Sequence, residues 1–312
     1  MIKNFLFALA LVPFSYATVE PPPENEVRPV KVLEVKGYTE GVVIGHAGEV
    51  YVSDVYNGAI YRHDRDGETK LWAQTGAPNG HKILADGTHL VCDGRERAVL
   101  RLDASGKLLG KASSECDGRP LRSPNDLTLD PRGGFYFTDP GGSSAQNPIG
   151  TVHYVDTNGW THLVAQGLAF PNGIALRPDG KTLLVGESGR NRILSYKLVS
   201  PGKVGEMRVF AELPTKGGEQ IANEPDGICL DSDGRLYVAH YGMRQVQVLS
   251  REGKLLRRYA AGNLTTSNVA FGGPRMNQLY VTGALGDEKN SPGGLFRLDL
   301  GGVKGLRLLP EK

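Results

Sequence analysis

Cysteine is scarce in this 312-residue chain, which has only Cys92, Cys116 and Cys229. Three thiols cannot form a disulfide framework, and their spacings match no zinc-binding pattern. Cys92 and Cys229 lie in apolar, strand-like runs, which predicts thiols packed in a core. Cys116 lies in a polar segment, so a single Cys92–Cys116 disulfide stays open at this point.

The chain also lacks a charge excess and long apolar runs. Its formal net charge is +2, with charged residues at 22%. This balance gives no electrostatic basis for binding nucleic acid or an anionic membrane surface. Beyond residue 17 no apolar run is long enough to span a bilayer. We therefore expect no nucleic-acid partner and no transmembrane segment.

The first residues have the pattern of a secretion signal. Lys3 gives a positive start, residues 5–14 are apolar, and Ser15–Ala17 form a small-x-small cleavage site. We predict a signal peptide over residues 1–17, a periplasmic or secreted location, and no membrane insertion after cleavage. A buried N-terminal strand is the alternative interpretation. Residues 18–27 are rich in proline and glutamate, which predicts a disordered leader.

Glycine, by contrast, is abundant at 42 residues, and short apolar runs between turns favour an all-β fold. A hairpin followed by a third strand pattern, and usually a weaker fourth, recurs six times from residue 40 onward. The hairpins are Glu40–Asp54, Asn79–Asp93, Asn125–Asp139, Asn172–Glu187, Asp226–His240 and Ser267–Gly283. Units of about 40–50 residues predict a single six-bladed β-propeller with four-stranded antiparallel blades over residues 28–312.

A strand-like segment, Arg28–Val35, precedes the first unit and has no hairpin partner. A propeller must join its first and last blades, and an open sheet edge is a liability. We therefore predict that this N-terminal strand closes the last blade as its outer strand.

The residue that opens each copy is polar in all six copies. Because the first strand of each blade lines the central channel, these residues should form one ring at one mouth: Glu40, Asn79, Asn125, Asn172, Asp226 and Ser267. Such oxygen ligands suit one divalent cation, and Ca²⁺ accepts a mixed set more readily than Mg²⁺. The absence of His and Cys argues against a dedicated zinc or copper site, although Zn²⁺ or Mn²⁺ could bind. Each residue alone could equally be a turn or cap residue.

The residues that end the second strands should lie near the same mouth: Asp54, Asp93, Asp139, Glu187 and His240. A cation at the mouth can polarise a carbonyl or activate a water, which fits hydrolysis of an ester-like bond. We find no G-x-S-x-G nucleophile elbow and no Ser-His-Asp set. His240 is either a general base or substrate contact, or a strand cap; both interpretations stay open.

Several segments resemble the signature blocks of the gluconolactonase family, which includes regucalcin (senescence marker protein). They are "SPNDLTLDPRGGFYFTDP" (Ser123–Pro140), "FPNGIALRPDGKTLLVGESGRNRI" (Phe170–Ile193), "EPDGICLDSDGRLYVAH" (Glu224–His240) and the acidic block Thr39–Val55. The resemblance covers residues 38–310. It implies a six-bladed propeller with one catalytic divalent metal, often Ca²⁺, and hydrolysis of sugar lactones.

Carried over by matching motif, the resemblance implies a set of site residues. The implied metal ligands are Glu40, Asn172, Asp226 and Asn125; the implied catalytic residues are Asp226, as the base, and Asn125. The expected substrate contacts are Asn125, Asn79, His240 and Ser267. Ser123 stands where animal regucalcins have a substrate-binding arginine, and Arg122 replaces an asparagine of bacterial gluconolactonases. The substrate pocket is therefore expected to differ.

The sequence thus predicts a metal-dependent, gluconolactonase-like hydrolase that acts on a small-molecule lactone as a monomer or weak homo-oligomer. A phosphotriesterase-like hydrolase on the same metal site is one alternative. A non-catalytic, calcium-stabilised binding module is another. A strictosidine-synthase-like condensation would require a glutamate near the channel, for which Glu187 is the candidate.

Overall fold

The computed structural model describes residues 19–217, 222–287 and 290–308. Within these ranges, six four-stranded antiparallel sheets follow one another along the chain, with one additional two-stranded hairpin. Each sheet is one blade, so the predicted all-β, six-bladed propeller is confirmed. Short apolar strands separated by glycine turns build this arrangement, because each hairpin turn requires a residue that tolerates positive φ.

The first three blades follow the predicted repeats closely. Blade 1 contains β2 Thr39–Ile44, β3 Val50–Asp54, β4 Ala59–His63 and β5 Thr69–Gln74. Blade 2 contains β6 Pro78–Ile83, β7 His89–Asp93, β8 Ala98–Leu102 and β9 Leu108–Ser113. Between blades 2 and 3 lies an unpredicted hairpin of β10 Glu115–Cys116 and β11 Arg119–Pro120. Blade 3 contains β12 Leu127–Leu129, β13 Phe135–Asp139, β14 Gly150–Val155 and β15 Thr161–Leu168.

The remaining blades complete the ring. Blade 4 contains β16 Pro171–Leu176, β17 Thr182–Glu187, β18 Arg192–Ser200 and β19 Lys203–Glu212, with a 3-10 helix at Ser188–Arg190. Blade 5 contains β20 Glu224–Leu230, β21 Leu236–Tyr241, β22 Gln245–Leu249 and β23 Leu255–Ala260. Blade 6 contains β24 Val269–Gly272, β25 Gln278–Ala284 and β26 Gly293–Asp299, together with β1 Val30–Val35.

The N-terminal strand β1 closes the propeller as predicted. It pairs antiparallel with β26, from Val30 opposite Arg297 to Val35 opposite Gly293. The order β1-β26-β25-β24 makes β1 the outer strand of blade 6. The first strand of the fold therefore ties the last blade to blade 1, which holds the channel ring closed.

In the described ranges, the hydrophobic core is divided into six clusters, each between two neighbouring blades. The cluster between blades 3 and 4, for example, contains Tyr136, Val152, Leu183 and Leu194, all fully buried. Blade faces that alternate inward and outward residues produce this packing, because every blade buries both faces against its neighbours. Two of the three cysteines join these clusters as buried residues or pack against them, and all three are free thiols.

Residues 19–27 differ from our expectation of a disordered leader. They pack along the outer strand β23 and include a 3-10 helix at Glu24–Glu26. The Tyr259 hydroxyl donates to the Pro22 carbonyl at 2.7 Å, and the Arg257 Nε–H donates to the Pro21 carbonyl at 3.2 Å. Val27 is buried in the cluster between blades 5 and 6. The two proline carbonyls thus accept hydrogen bonds from side chains of the outer strand β23, and these bonds hold the leader against blade 5.

The predicted signal peptide over 1–17 lies outside the described residues. In the part of the chain that is described, no helix has the length and apolarity needed to cross a bilayer.

Candidate functional site

Four of the six predicted ring residues lie at the start of a strand, in a break of the strand ladder, whereas Asn125 and Ser267 lie two residues before their strands begin. In blade 4, Pro171 pairs with Glu187 and the next pair is Ile174 with Val185, so Asn172 and Gly173 form a bulge. The equivalent register shifts in three other blades contain Glu40-Gly41, Asn79-Gly80 and Asp226-Gly227. A bulge turns a side chain away from the ladder and is common beside functional sites. Here it places Glu40, Asn79, Asn172 and Asp226 outside the regular strand ladder.

The glycine after these ring residues is required by close packing between blades. A Cβ atom on Gly173 would lie 2.2 Å from the Asp226 carbonyl oxygen, and one on Gly41 would lie 2.0 Å from the Asn79 carbonyl oxygen. The backbone that carries one ring residue therefore touches the backbone that carries another. These Asn-Gly and Asp-Gly pairs are positions of close approach, which bring the ring side chains together.

The acids that end the second strands hold the loops that precede the ring residues. Asp139 accepts hydrogen bonds from the backbone N–H groups of Arg122 at 2.8 Å and Ser123 at 2.6 Å, just before Asn125. Asp93 likewise accepts from Gly76 at 2.9 Å. Asp54 and Glu187 accept from the N–H groups of Gly37 and Ala169. These acids lie near the mouth, as expected, but their oxygens fix loop backbone.

Five ring side chains place a buried oxygen without a hydrogen-bond partner into the site. The atoms are Glu40 Oε2, Asn79 Oδ1, Asn125 Oδ1, Asn172 Oδ1 and Asp226 Oδ1. Buried acceptors are nearly always hydrogen-bonded, so five orphans at equivalent positions call for a common explanation. Two carboxylates and three amide carbonyls are the ligand types that a hard divalent cation prefers. The residues present fit such a cation.

Electrostatics point the same way. Burial, followed by the charge of Asp126, raises the pKa of Glu40 to about 8, although the Asn268 side chain donates a hydrogen bond to it. Burial and the neighbouring charge of Glu40 raise the pKa of Asp226 well above its ordinary value. Two buried carboxylates that repel each other resist joint ionisation unless positive charge lies between them. The ring is therefore electrostatically prepared for a cation.

Sequence reasoning missed Asp126 and Lys82, which lie beside the ring. Asp126 takes the place that glycine has in four other blades, and its buried side chain adds a third carboxylate. The Lys82 Nζ lies 3.9 Å from Asp126 Oδ1, and this is the ion pair that Asp126 makes among the described residues. The sequence signal that could have identified Asp126 is the pair Asn125-Asp126, which stands where other copies of the repeat have Asn-Gly. The ion pair between Lys82 and Asp126 joins blades 2 and 3, and no sequence pattern predicts it.

Ser267 and His240 occupy different places from those expected of substrate contacts. The Ser267 hydroxyl is fully buried and donates to the Thr39 carbonyl at 2.7 Å, linking blade 6 to blade 1. Its neighbour Asn268 is the residue that reaches the ring, through Glu40. The His240 ring is buried against Asn191 Oδ1, with Nε2 at 2.8 Å, and burial lowers its pKa to about 4. It is therefore neutral and lies between blades 4 and 5.

A group of three tyrosines and one glutamate borders the site and was also missed. The rings of Tyr38 and Tyr56 lie 5.5 Å apart, and Tyr56 is 55% exposed. Burial, followed by the nearby charge of Glu40, raises the pKa of the Tyr38 hydroxyl. Tyr241 lies opposite Glu224 in the strand register of blade 5. We call Tyr38, Tyr56, Tyr241 and Glu224 the rim.

The family described as "SMP-30/Gluconolactonase/LRE-like region" matches residues 38–285. The chain belongs to this family. The lactonase drp35 of Staphylococcus epidermidis is 31% identical over 234 residues, which are 72% of this chain and 70% of that protein. The drp35 lactonase of Staphylococcus aureus is 31% identical over 228 residues, covering 69% and 67% of the two chains. The resemblance predicted from the sequence is confirmed.

Solved structures of the SMP-30/gluconolactonase type have the same fold. A gluconolactonase from Xanthomonas campestris superposes with a TM-score of 0.76 at 24% identity, covering 89% of this chain and 91% of that one. A regucalcin from Agrobacterium tumefaciens, titled a calcium-binding protein, gives a TM-score of 0.74 at 21% identity, covering 89% and 95%.

The two departures from the family's pocket have a clear local structure. The Ser123 backbone N–H is bound by Asp139, and the exposed Arg122 guanidinium donates to the Ile149 carbonyl. Arg122 is thereby engaged with the loop that precedes β14.

Proposed function

We propose that this protein is a metal-dependent lactonase that hydrolyses a sugar lactone to its hydroxy acid. The observation that carries the proposal is the set of five buried, unpartnered oxygens at equivalent positions of the channel mouth. Membership of the SMP-30/gluconolactonase/LRE-like family and the two relatives named lactonase support the reaction type. The enzyme is thus an ester hydrolase that acts on a cyclic ester.

Glu40, Asn172 and Asp226, with Asn125, would hold one divalent cation. Ca²⁺ is our first choice because it accepts a mixture of carboxylate and amide oxygens in loose geometry. Zn²⁺, Mg²⁺ and Mn²⁺ are the alternatives. When bound, such a cation supplies positive charge that polarises an ester carbonyl and makes a neighbouring water more acidic.

Asp226 is the proposed general base. The Asn172 side chain donates a hydrogen bond to its carboxylate, which fixes its orientation, while Oδ1 has no partner and faces the site. Asp226 takes a proton from the water that attacks the lactone carbonyl carbon. The ring C–O bond then breaks, and the proton passes to the departing ring oxygen, which becomes the hydroxyl of the product.

Asn125 and Asn79 are the proposed substrate-positioning residues. Each amide presents an oxygen without a partner at the site. An amide offers both acceptor and donor atoms, so it can orient a lactone through its hydroxyl or carbonyl groups. Asn125 would share its oxygen with the cation, which couples substrate position to the metal site.

The condensation alternative loses its candidate glutamate. Glu187 is fully buried, and its carboxylate accepts from the Arg192 Nε–H at 2.6 Å and from the Ala169 backbone N–H at 2.9 Å. A carboxylate in this arrangement supports the loop before Asn172. It is not available to bind a substrate amine.

The test is hydrolysis of glucono-1,5-lactone, followed by proton release, with Asp226→Asn compared with Asp299→Asn. The first change keeps an oxygen at the ring but removes the base, so turnover should fall by about 100-fold or more. Asp299 is 53% exposed on blade 6, so the second change should leave turnover unaltered. Lactone turnover that survives in Asp226→Asn would contradict the assignment of the base. Turnover of a phosphotriester but of no lactone would replace the proposal with the phosphotriesterase alternative.

Export is a separate proposal that depends on residues 1–17. These residues precede the described chain, and their apolar run supports a signal peptide. Cell fractionation of tagged full-length protein should show a shortened chain outside the cytoplasm. A full-length chain retained with the cytoplasmic fraction would contradict the proposal.

A further inference from the structure

Glu224 is a rim carboxylate for which the described structure provides no partner. It begins β20, two residues before Asp226, and lies opposite Tyr241 in the strand register. Its charge contributes to the raised pKa of both Asp226 and Tyr241, so its carboxylate lies close to the site. Its side chain is half-buried and makes no hydrogen bond or ion pair within the described ranges.

The other acids described above at the mouth each have an evident structural or ligand role. Asp54, Asp93, Asp139 and Glu187 accept backbone hydrogen bonds. Asp126 faces Lys82. Glu40 and Asp226 belong to the ring. Glu224 has no such role among the described residues, and it keeps part of its exposure to solvent. Its carboxylate is therefore free to accept a hydrogen bond from a ligand.

The neighbours of Glu224 indicate what kind of ligand group approaches it. Tyr241 lies beside it, and Tyr56, which is 55% exposed, lies near enough to Tyr241 to affect the pKa of its hydroxyl. Aromatic faces pack against apolar C–H surfaces, whereas a carboxylate accepts hydrogen bonds from hydroxyl groups. A ring with hydroxyl groups on its edge and C–H groups on its face satisfies both.

The positive charges at the mouth offset other carboxylates and leave the charge of Glu224 without a counter-charge. A divalent cation would offset the two ring carboxylates, and Lys82 offsets Asp126. Glu224 then remains as uncompensated negative charge at the rim. A second negative charge about 6 Å away costs on the order of a hundredfold in affinity at the effective dielectric of a protein surface.

We propose that Glu224, with Tyr241 beside it, is a specificity-determining residue that binds a hydroxyl on the non-reacting side of the lactone and disfavours lactones that carry an anionic substituent. This proposal rests on the proposed function, because it concerns the same substrate site. It assigns the rim a role in recognition and leaves the proton transfer to Asp226.

The experiment compares glucono-1,5-lactone with its 6-phosphate in the calcium-loaded protein. Glu224→Ala should raise KM for the neutral lactone about tenfold with kcat nearly unchanged, because a hydrogen bond to a charged group is lost. Glu224→Gln should shift the ratio of kcat/KM values about a hundredfold toward the phosphorylated lactone. The matched control is Glu206→Gln, the same charge change on the exposed outer strand β19, which should alter neither quantity.

A binding measurement separates this proposal from the proposed function. Titration calorimetry with the δ-lactam analogue of the neutral lactone reports recognition without hydrolysis, and a parallel calcium titration reports the metal site. Weaker lactam binding in Glu224→Ala at unchanged calcium affinity supports the assignment, even if the wild-type protein hydrolyses no lactone. Equal lactam affinity in wild type and Glu224→Ala, or an unchanged preference between the two lactones in Glu224→Gln, would overturn it.

Discussion

Replacing Glu40 by glutamine should stabilise the metal-free protein at alkaline pH, although it removes a proposed metal ligand's charge. Burial and Asp126 raise the pKa of Glu40 from 4.5 to about 8 in the metal-free fold. A folded-state pKa above the unfolded value gives stability that is complete below about pH 4.5 and is lost progressively as pH rises to about 8. At about 1.36 kcal/mol per pH unit, the loss approaches 4–5 kcal/mol. Glutamine has no proton to lose, so it avoids this cost.

The assay is thermal unfolding of chelator-stripped protein at about pH 5.5 and about pH 8, with and without added calcium. Structural relaxation reduces the calculated effect, so we expect Glu40→Gln to be about 2–4 kcal/mol more stable than wild type at the higher pH. At about 2 °C per kcal/mol for a domain of this size, the Tm should rise by roughly 4–8 °C. At the lower pH the two proteins should differ much less.

Calcium should reverse the order of the two proteins. It should stabilise wild type by binding the ring, and should stabilise Glu40→Gln far less, because one of two ligand carboxylates is gone. Glu206→Gln is the control, since it makes the same charge change on the exposed strand β19. A metal-free Glu40→Gln protein no more stable than wild type at about pH 8, or one with a full calcium shift, would refute the reasoning.

Two further predictions concern the backbone that carries the ring. Gly173→Ala should destabilise the protein by 2 kcal/mol or more in urea unfolding, because its Cβ would lie 2.2 Å from the Asp226 carbonyl oxygen; Gly217→Ala, with no atom within 4 Å of its Cβ, should be nearly neutral. Asp93→Ala should cost about 2–4 kcal/mol, because it leaves the backbone N–H groups of Gly76, Ala77, Arg95 and Glu96 without their acceptor. A loss of stability below 0.5 kcal/mol in Gly173→Ala would contradict the close approach at Gly173, and the same result in Asp93→Ala would contradict the role of Asp93 as a backbone acceptor.

The propeller was predictable because every blade must solve the same packing problem. Along each strand, alternate residues face the two neighbouring blades, so the same pattern of apolar residues recurs in all six hairpins. The strand that closes blade 6 was predictable because Arg28–Val35 had no partner of its own. The packed leader was not predictable from composition. Its order depends on proline carbonyls that meet Arg257 and Tyr259 across a long chain separation.

The ring was predictable where the copies agree and was misjudged where they differ. Asn172-Gly173 and Asp226-Gly227 mark a bulge that alignment detects, because the glycine is needed at each close approach. The sixth copy has no such glycine, and alignment favoured Ser267 over Asn268, which the structure places beside Glu40.

The rest of the site depends on contacts between blades. Lys82 and Asp126 belong to different blades, so their pairing follows from the closed ring and from no local pattern. Tyr38, Tyr56 and Tyr241 reach the rim from loops and strand ends of blades 1 and 5. Loop residues of this kind carry no periodic signal.

Calcium binding and lactone turnover measured on one chelator-stripped sample test the central claim most directly. Calcium is titrated into the protein while heat and proton release from glucono-1,5-lactone are followed in parallel. We predict that activity returns in step with the binding of one calcium ion per chain, and that Glu40→Gln loses both together. Full activity in the presence of chelator, or calcium binding that is unaltered by Glu40→Gln, would contradict the claim that the channel ring holds the catalytic cation.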